Sequence, residues 1–180
     1  MQFYYASRDG QSRRIAERIA ARLGEAGVPA APTGLTEATP PVSELSKPGP
    51  VVLVAAVRYG KHLPEAQHLL ARYRGLASPP PLVLLSVNLT ARKPGKQTPE
   101  GSIYLRKVIR KYRLKPVLAE AVAGRLDYPR YTWRDRQAIR FIMMLTGGPT
   151  DPTAQVEFTD WDQVDSLARR IAEIYALSHP

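Results

Sequence analysis

The sequence predicts an α/β fold built on a doubly wound, mostly parallel sheet. Two apolar runs, residues 51–57 (Val-Val-Leu-Val-Ala-Ala-Val) and 82–87 (Leu-Val-Leu-Leu-Ser-Val), lack polar alternation, the mark of strands covered on both faces. Segments with apolar residues at helical spacing lie around them. Strand and helix patterns then alternate along the chain, so that helical crossovers would cover both faces of the sheet.

Residues 2–6 read as the first strand, and residues 7–12 as a polar turn containing Gly10. A helix fits residues 11–26, because Ile15, Ala16, Ile19, Ala20 and Leu23 share one stripe while Arg13, Arg14, Glu17, Arg18 and Arg22 face out. Gly27 is placed to stop it. Residues 28–31 are a candidate strand, and the proline-rich stretch to residue 50 holds at most a short helix at 42–45. After the buried strand at 51–57, a helix fits 64–73, and the run at 82–87 is the next strand. Residues 104–113 form a helix with Leu105, Val108, Ile109 and Tyr112 on one side, and 117–124 another strand. The last helix, 161–176, turns Val164, Leu167, Ala168, Ile171 and Tyr175 inward, with Asp160 or Thr159 able to cap it.

One segment breaks the alternation. Residues 125–154 hold an aromatic and basic stretch, an apolar run at 141–145, then Gly147 and Gly148, ahead of a strand-like 156–158. Loops this long inside a compact domain are usually functional or disordered, and Tyr128, Tyr131 and Trp133 argue for ordered and functional.

A length of 180 residues suits one domain, 1–180, and 44% hydrophobic with 23% charged residues excludes a disordered or low-complexity chain. With no cysteine, thiolate zinc sites, iron–sulfur clusters and cysteine nucleophiles are excluded. His62, His68 and His179 have no tight ligand spacing, so no metal is expected. No secretory signal is visible, and the apolar runs fall short of the roughly 20 residues that span a bilayer. Any membrane role is expected to be peripheral. The net charge of +10 is concentrated: residues 92–140 carry 14 of the 26 Lys and Arg but 4 of the 16 Asp and Glu. Such a region suits an anionic partner, whether nucleic acid, acidic lipid or a carboxylated substrate.

In open parallel sheets ligands sit beyond the carboxyl ends of the strands. The loop of Ser7, Arg8, Asp9, Gly10, Gln11 and Ser12 joins a strand directly to a helix N-terminus, offering amides, two hydroxyls and a flexible glycine to a phosphate. It lacks the glycines of a dinucleotide fingerprint and the Gly-Lys-Ser/Thr of a triphosphate loop. Asp9 beside a phosphate would repel it and is expected to turn away and cap the helix. The next two loops offer Val57, Arg58, Tyr59 and Gly60, then Ser86, Val87, Asn88 and Leu89. A phosphate cradle, an aromatic and polar groups at one sheet edge are what flavin mononucleotide, FMN, requires.

These stretches, with Arg92, Lys93 and Pro94, the run from Gly124 through Tyr128, Pro129, Arg130 and Tyr131, and Thr159, Asp160 and Trp161, resemble the flavodoxin-like fold. Within it they closely resemble the FMN-dependent protoporphyrinogen IX dehydrogenases that pass electrons to respiratory quinone. The resemblance runs nearly end to end; Ser12 stands where the family commonly has threonine. It implies a five-stranded flavodoxin-like sheet with an insertion at about 125–154. It further implies noncovalent FMN, protoporphyrinogen IX as substrate, menaquinone or ubiquinone as acceptor, and a peripheral place on the cytoplasmic face of the inner membrane. An apolar macrocycle with two propionates would be met by Tyr128, Tyr131 and Trp133 with Arg125, Arg130, Arg134 and Arg136. Arg106, Lys107, Arg110, Lys111 and Arg113 would meet an anionic membrane surface. The alternatives are a flavodoxin-type electron carrier, an NAD(P)H:quinone reductase and, from another class, a nucleic-acid-binding module.

Overall fold

The computed structural model describes residues 1–36, 39–130 and 132–178. In chain order the strands are β1 (Gln2–Ala6), β2 (Thr33–Gly34), β3 (Val51–Arg58), β4 (Lys61–His62), β5 (Leu82–Asn88), β6 (Leu118–Ala123), β7 (Arg125–Asp127) and β8 (Gln155–Glu157). The helices are α1 (Gln11–Glu25), α2 (Val42–Leu45), α3 (Pro64–Arg74), α4 (Ile103–Tyr112), α5 (Trp133–Thr146) and α6 (Trp161–Leu177). Five strands pair in parallel in the order β2-β1-β3-β5-β6, and β4 folds back antiparallel onto the end of β3.

The central strands are apolar without alternation because both of their faces are covered. Leu53, Ala55 and Leu84 pack under α3 and α4 with Leu69, Leu70 and Leu105, whereas Val52, Val54, Val83 and Leu85 meet Ile15, Ile19, Leu167 and Ile171 of α1 and α6. Alternation along each strand divides these residues between the two layers. Arg18 and Arg22 of α1 both reach Asp165 of α6, at 2.7 and 2.8 Å, and hold its carboxyl well below the usual carboxylate range. Asp160 caps α6 by accepting from the amides of Asp162 and Gln163.

One expectation is corrected. The strand foreseen at 28–31 is instead Thr33–Gly34, paired with Tyr4 and Tyr5. The cause is the end of α1: Gly27 takes a left-handed φ of 75°, and the Val28 amide donates back to the Leu23 carbonyl at 2.8 Å. That closes the helix and uses Val28 as a core plug rather than a strand. The insertion lies beside the last parallel strand, one of the two places the sequence left open, and residues 125–158 do not interrupt that strand. They follow it as a separate small unit, in which β7 and β8 form an antiparallel pair flanking α5, around a core of Leu126, Tyr128 and Met143.

Candidate functional site

A cleft opens at the carboxyl ends of β1, β3, β5 and β6, lined by Ser7, Arg8, Asp9, Gln11 and Ser12, by Val57, Arg58, Tyr59 and Gly60, and by Val87, Asn88 and Leu89. Twelve of the fourteen cofactor residues read from the sequence therefore come together. Gly10 and Ser86 stand apart. Gly10 is the N-cap of α1 with φ 91°, and it turns the chain so that the first-turn amides face the cleft without a side-chain cap. Strand alternation points Ser86 inward instead, where it is fully buried and 2.9 Å from His62 Nε2.

The cradle has one unpartnered group: Ser12 Oγ is buried and makes no hydrogen bond. A buried hydroxyl left without a partner is costly, and at the mouth of a helix N-terminus it is a donor waiting for an anion. Asp9 does not cap the helix as expected, since Gly10 occupies that position. Its carboxylate crosses the cleft rim to Arg58 Nη1 at 3.2 Å, so that the nearest acid to the cradle faces a guanidinium. The donor set therefore fits a terminal phosphate.

Tyr59 and Gly60 are the central residues of a two-residue hairpin between β3 and β4, with φ 50° and 75°. Both being left-handed makes this a type I′ turn, strained for tyrosine and relaxed for glycine. The turn leaves the Tyr59 ring 63% exposed at the cleft mouth, suited to cover a flat ring system. Asn88 accepts from Thr90 Oγ1 and the Ala91 amide, fixing the third loop as a tight turn.

His62 sits behind this hairpin, buried, and burial pushes its pKa down to about 4. It is neutral at pH 7. Because the folded value lies below the unfolded value of about 6.5, its contribution to stability is complete above pH 6.5 and is lost as pH falls toward 4. We expect on the order of 3 kcal/mol of stability to disappear over that window through this group. Urea denaturation at stepped pH should show a shallower acid loss in His62→Gln; an unchanged slope would remove His62 from the account.

The insertion residues are placed differently from the sequence reading. Among the described substrate candidates, Arg125 alone lines the cleft, and it is engaged with Asp127 at 3.2 Å and Gln155 at 3.1 Å. Tyr128 is fully buried between Leu126 and Met143, and its hydroxyl donates to the Pro149 carbonyl at 2.8 Å. It is a core residue and cannot cover a macrocycle. Trp133 and Arg134 are exposed on the first turn of α5, away from the cleft lining, and Arg136 is half-buried there. Tyr131 and the side chain of Arg130 lie outside the described residues. In their place α5 presents Ala138, Ile139 and Ile142 to the cleft, and α4 presents Tyr104. The i, i+4 spacing of Ala138 and Ile142 was the signal for that wall.

The parallel sheet, its open first helix turn and the aromatic beside it define a flavodoxin-type α/β protein. Residues 2–153 match the flavodoxin domain family, and the chain belongs to that family. Among curated proteins it is 38% identical over 170 residues, 94% of this chain and 93% of the other, to the protoporphyrinogen IX dehydrogenase (quinone) of Escherichia coli K12. It is 35% identical over 171 residues to the protein of that name from Leishmania major, covering 94% of this chain and 73% of the other. Among solved structures, a flavodoxin of Streptococcus pneumoniae superposes with TM-score 0.54 at 11% identity, over 98% of this chain and 97% of that one. The rubredoxin oxygen:oxidoreductase of Desulfovibrio gigas superposes with TM-score 0.58 at 14% identity, over 98% of this chain and 36% of that one. At those identities the structures share the fold alone.

Proposed function

We propose that this chain binds FMN noncovalently and oxidises protoporphyrinogen IX to protoporphyrin IX, with a respiratory quinone as acceptor, the penultimate step of haem biosynthesis. The observation that carries this reading is the 38% identity to the Escherichia coli enzyme, spanning nearly all of both chains. The bound flavin would supply the redox chemistry, three two-electron oxidations of the macrocycle, each followed by electron transfer to quinone. The chain's own part is to hold and enclose. Ser7, Ser12 and the first-turn amides of α1 would hold the phosphate, Tyr59 would cover the ring system, and Ala138, Ile139 and Ile142 would keep water from its far side.

An electron-carrier flavodoxin would be expected to dock redox partners through an acidic surface, and the charge of +10 weighs against it. The deciding experiment is anaerobic: the purified protein should release a cofactor with the mass of FMN, its flavin should bleach on adding protoporphyrinogen IX, and quinone should restore the colour. Bleaching by NAD(P)H instead, or release of FAD, would overturn the reading.

The quinone acceptor implies contact with a bilayer, at the cytoplasmic face of the inner membrane. No described helix is long and apolar enough to cross one, so the contact proposed is peripheral, with an anionic lipid surface. Trp133, Phe141 and Met144 lie on one stripe of α5 at 71, 58 and 63% exposure, beside the exposed Arg134, and Arg106 and Arg110 are exposed on α4. An amphipathic helix of this composition lies in the interface plane, and each arginine near an acidic surface contributes about 1 kcal/mol. Co-sedimentation with anionic vesicles should be strong at low salt, weaken as salt rises, and drop further in Trp133→Ser/Phe141→Ser. Equal retention on neutral vesicles would contradict the electrostatic part.

A further inference from the structure

Next to the flavin cleft, and sharing Tyr59, Gly60 and Tyr104 with it, lies a second hollow of about 340 Å³ between the β3–β4 hairpin and α4. That volume falls within the range of about 300–1,000 Å³ typical of small-molecule sites. Helical spacing divides the basic residues of α4 into two sets. Lys107 and Lys111 line the hollow with Tyr104, and Lys61 faces them from β4, whereas Arg106 and Arg110 do not line it. Among the described residues, none of these three lysines has a carboxylate within salt-bridge distance. Lys111 Nζ is held by Gln67 Oε1 at 2.7 Å and lies 4.8 Å from the centre of the Tyr112 ring.

Three lysines without acidic partners around an aromatic-walled hollow call for a ligand with an apolar body and negative charges along one edge. Protoporphyrinogen has that form, its two propionates projecting from the same side of the macrocycle. The rise between Lys107 and Lys111, four residues of helix, is about 6 Å, enough to engage the two carboxylates separately. Of the described arginines of the insertion, Arg125 is engaged with Asp127 and Gln155, and Arg134, Arg136 and Arg140 line neither the cleft nor this hollow.

We propose that this hollow is the propionate subsite, with Lys107 and Lys111 as the anchoring cations, Lys61 as a third, and Tyr59 and Tyr104 flanking the macrocycle as it reaches toward the flavin. The assignment rests on the porphyrinogen reading above, and its test separates the two. Protoporphyrin IX is titrated into the FMN-loaded protein and followed by porphyrin absorbance, with the porphyrin dimethyl ester run in parallel. Lys107→Glu/Lys111→Glu should weaken the diacid by about tenfold or more, since like charges then face each other. Lys107→Arg/Lys111→Arg should stay within about twofold, and the ester should bind all three proteins alike. Unchanged diacid binding in the charge-reversed variant, or an equal loss for the ester, would overturn the subsite. Flavin absorbance and thermal melting confirm that each variant is folded and loaded. Turnover of the unmodified protein reports separately on oxidation, so an inactive chain with a diacid-specific loss would refute the activity and keep the subsite.

Discussion

Replacing residues 128–154 with a short Gly/Ser turn should give a folded protein that retains FMN and no longer couples porphyrinogen oxidation to quinone. The insertion keeps its own core of Leu126, Tyr128 and Met143, distinct from the clusters on the two faces of the main sheet, so its removal leaves those clusters intact. The ties that anchor its base survive the replacement. Gln11 Nε2 donates to Glu157 at 3.0 Å and Thr159 at 2.8 Å, Thr159 Oγ1 donates to the Ala123 carbonyl at 2.8 Å, and Arg92 stacks on Phe158. What disappears is the wall of Ala138, Ile139 and Ile142 and the exposed apolar stripe beside it. Misplacing a bulky reactant by even an ångström costs on the order of a hundredfold in rate, and here one side of its enclosure is gone. Flavin absorbance and melting should therefore change little while anaerobic turnover with quinone falls by at least about that factor. Wild-type turnover in the shortened chain would make the insertion a structural addition without a part in the reaction.

The main sheet was legible in the sequence because buried parallel strands write themselves as unbroken apolar runs, and β3 and β5 do so nearly residue by residue. β2 was not, since it is two residues long and contributes only backbone to β1, while Val28, the apolar signal nearby, serves the closure of α1. The phosphate loop was legible because a strand running directly into an amphipathic helix fixes where the open amides must be. Ser86 and Asp9 were misplaced for local reasons. Strand alternation decides which way Ser86 points, and the left-handed backbone of Gly10 takes the cap position from Asp9. The insertion misled most. Its aromatic and basic residues suggest ligand contact by composition, but Tyr128 was needed for the unit's core, and the contact face fell to small and aliphatic side chains whose role depends on how α5 is rotated. The i, i+4 spacing of Ala138 and Ile142 marks one face of α5 but does not report that this face turns to the cleft. The spacing of Tyr104, Lys107 and Lys111 likewise separates the lysines of α4 from its arginines but does not report that the lysine side lines a hollow.

Ser12→Ala should move stability and FMN affinity in opposite directions. Without FMN, the Ser12 hydroxyl is buried and unpartnered, a condition that costs about 1–3 kcal/mol, so its removal should leave the flavin-free protein as stable as before or more so. With FMN, the same hydroxyl would donate to a charged phosphate, worth about 1.5–3 kcal/mol, and its loss should raise Kd by roughly ten- to a hundredfold. A merely structural serine would destabilise both states when removed. Gly10→Val acts by a different route and more strongly. No heavy atom lies within 4 Å of where a Cβ would stand at Gly10, so steric conflict in the flavin-free fold is absent and the cost there is that of holding a β-branched residue at φ 91°. That backbone conformation is what aims the amides of α1 at the cleft, and relaxing it turns them away while the new side chain occupies the approach to them. FMN retention should be lost in Gly10→Val through gel filtration, with the sheet still folded by circular dichroism. Unchanged FMN affinity in both variants would mean that the phosphate is held elsewhere, because no other described group in the cradle combines a buried donor without a partner and an uncapped helix start.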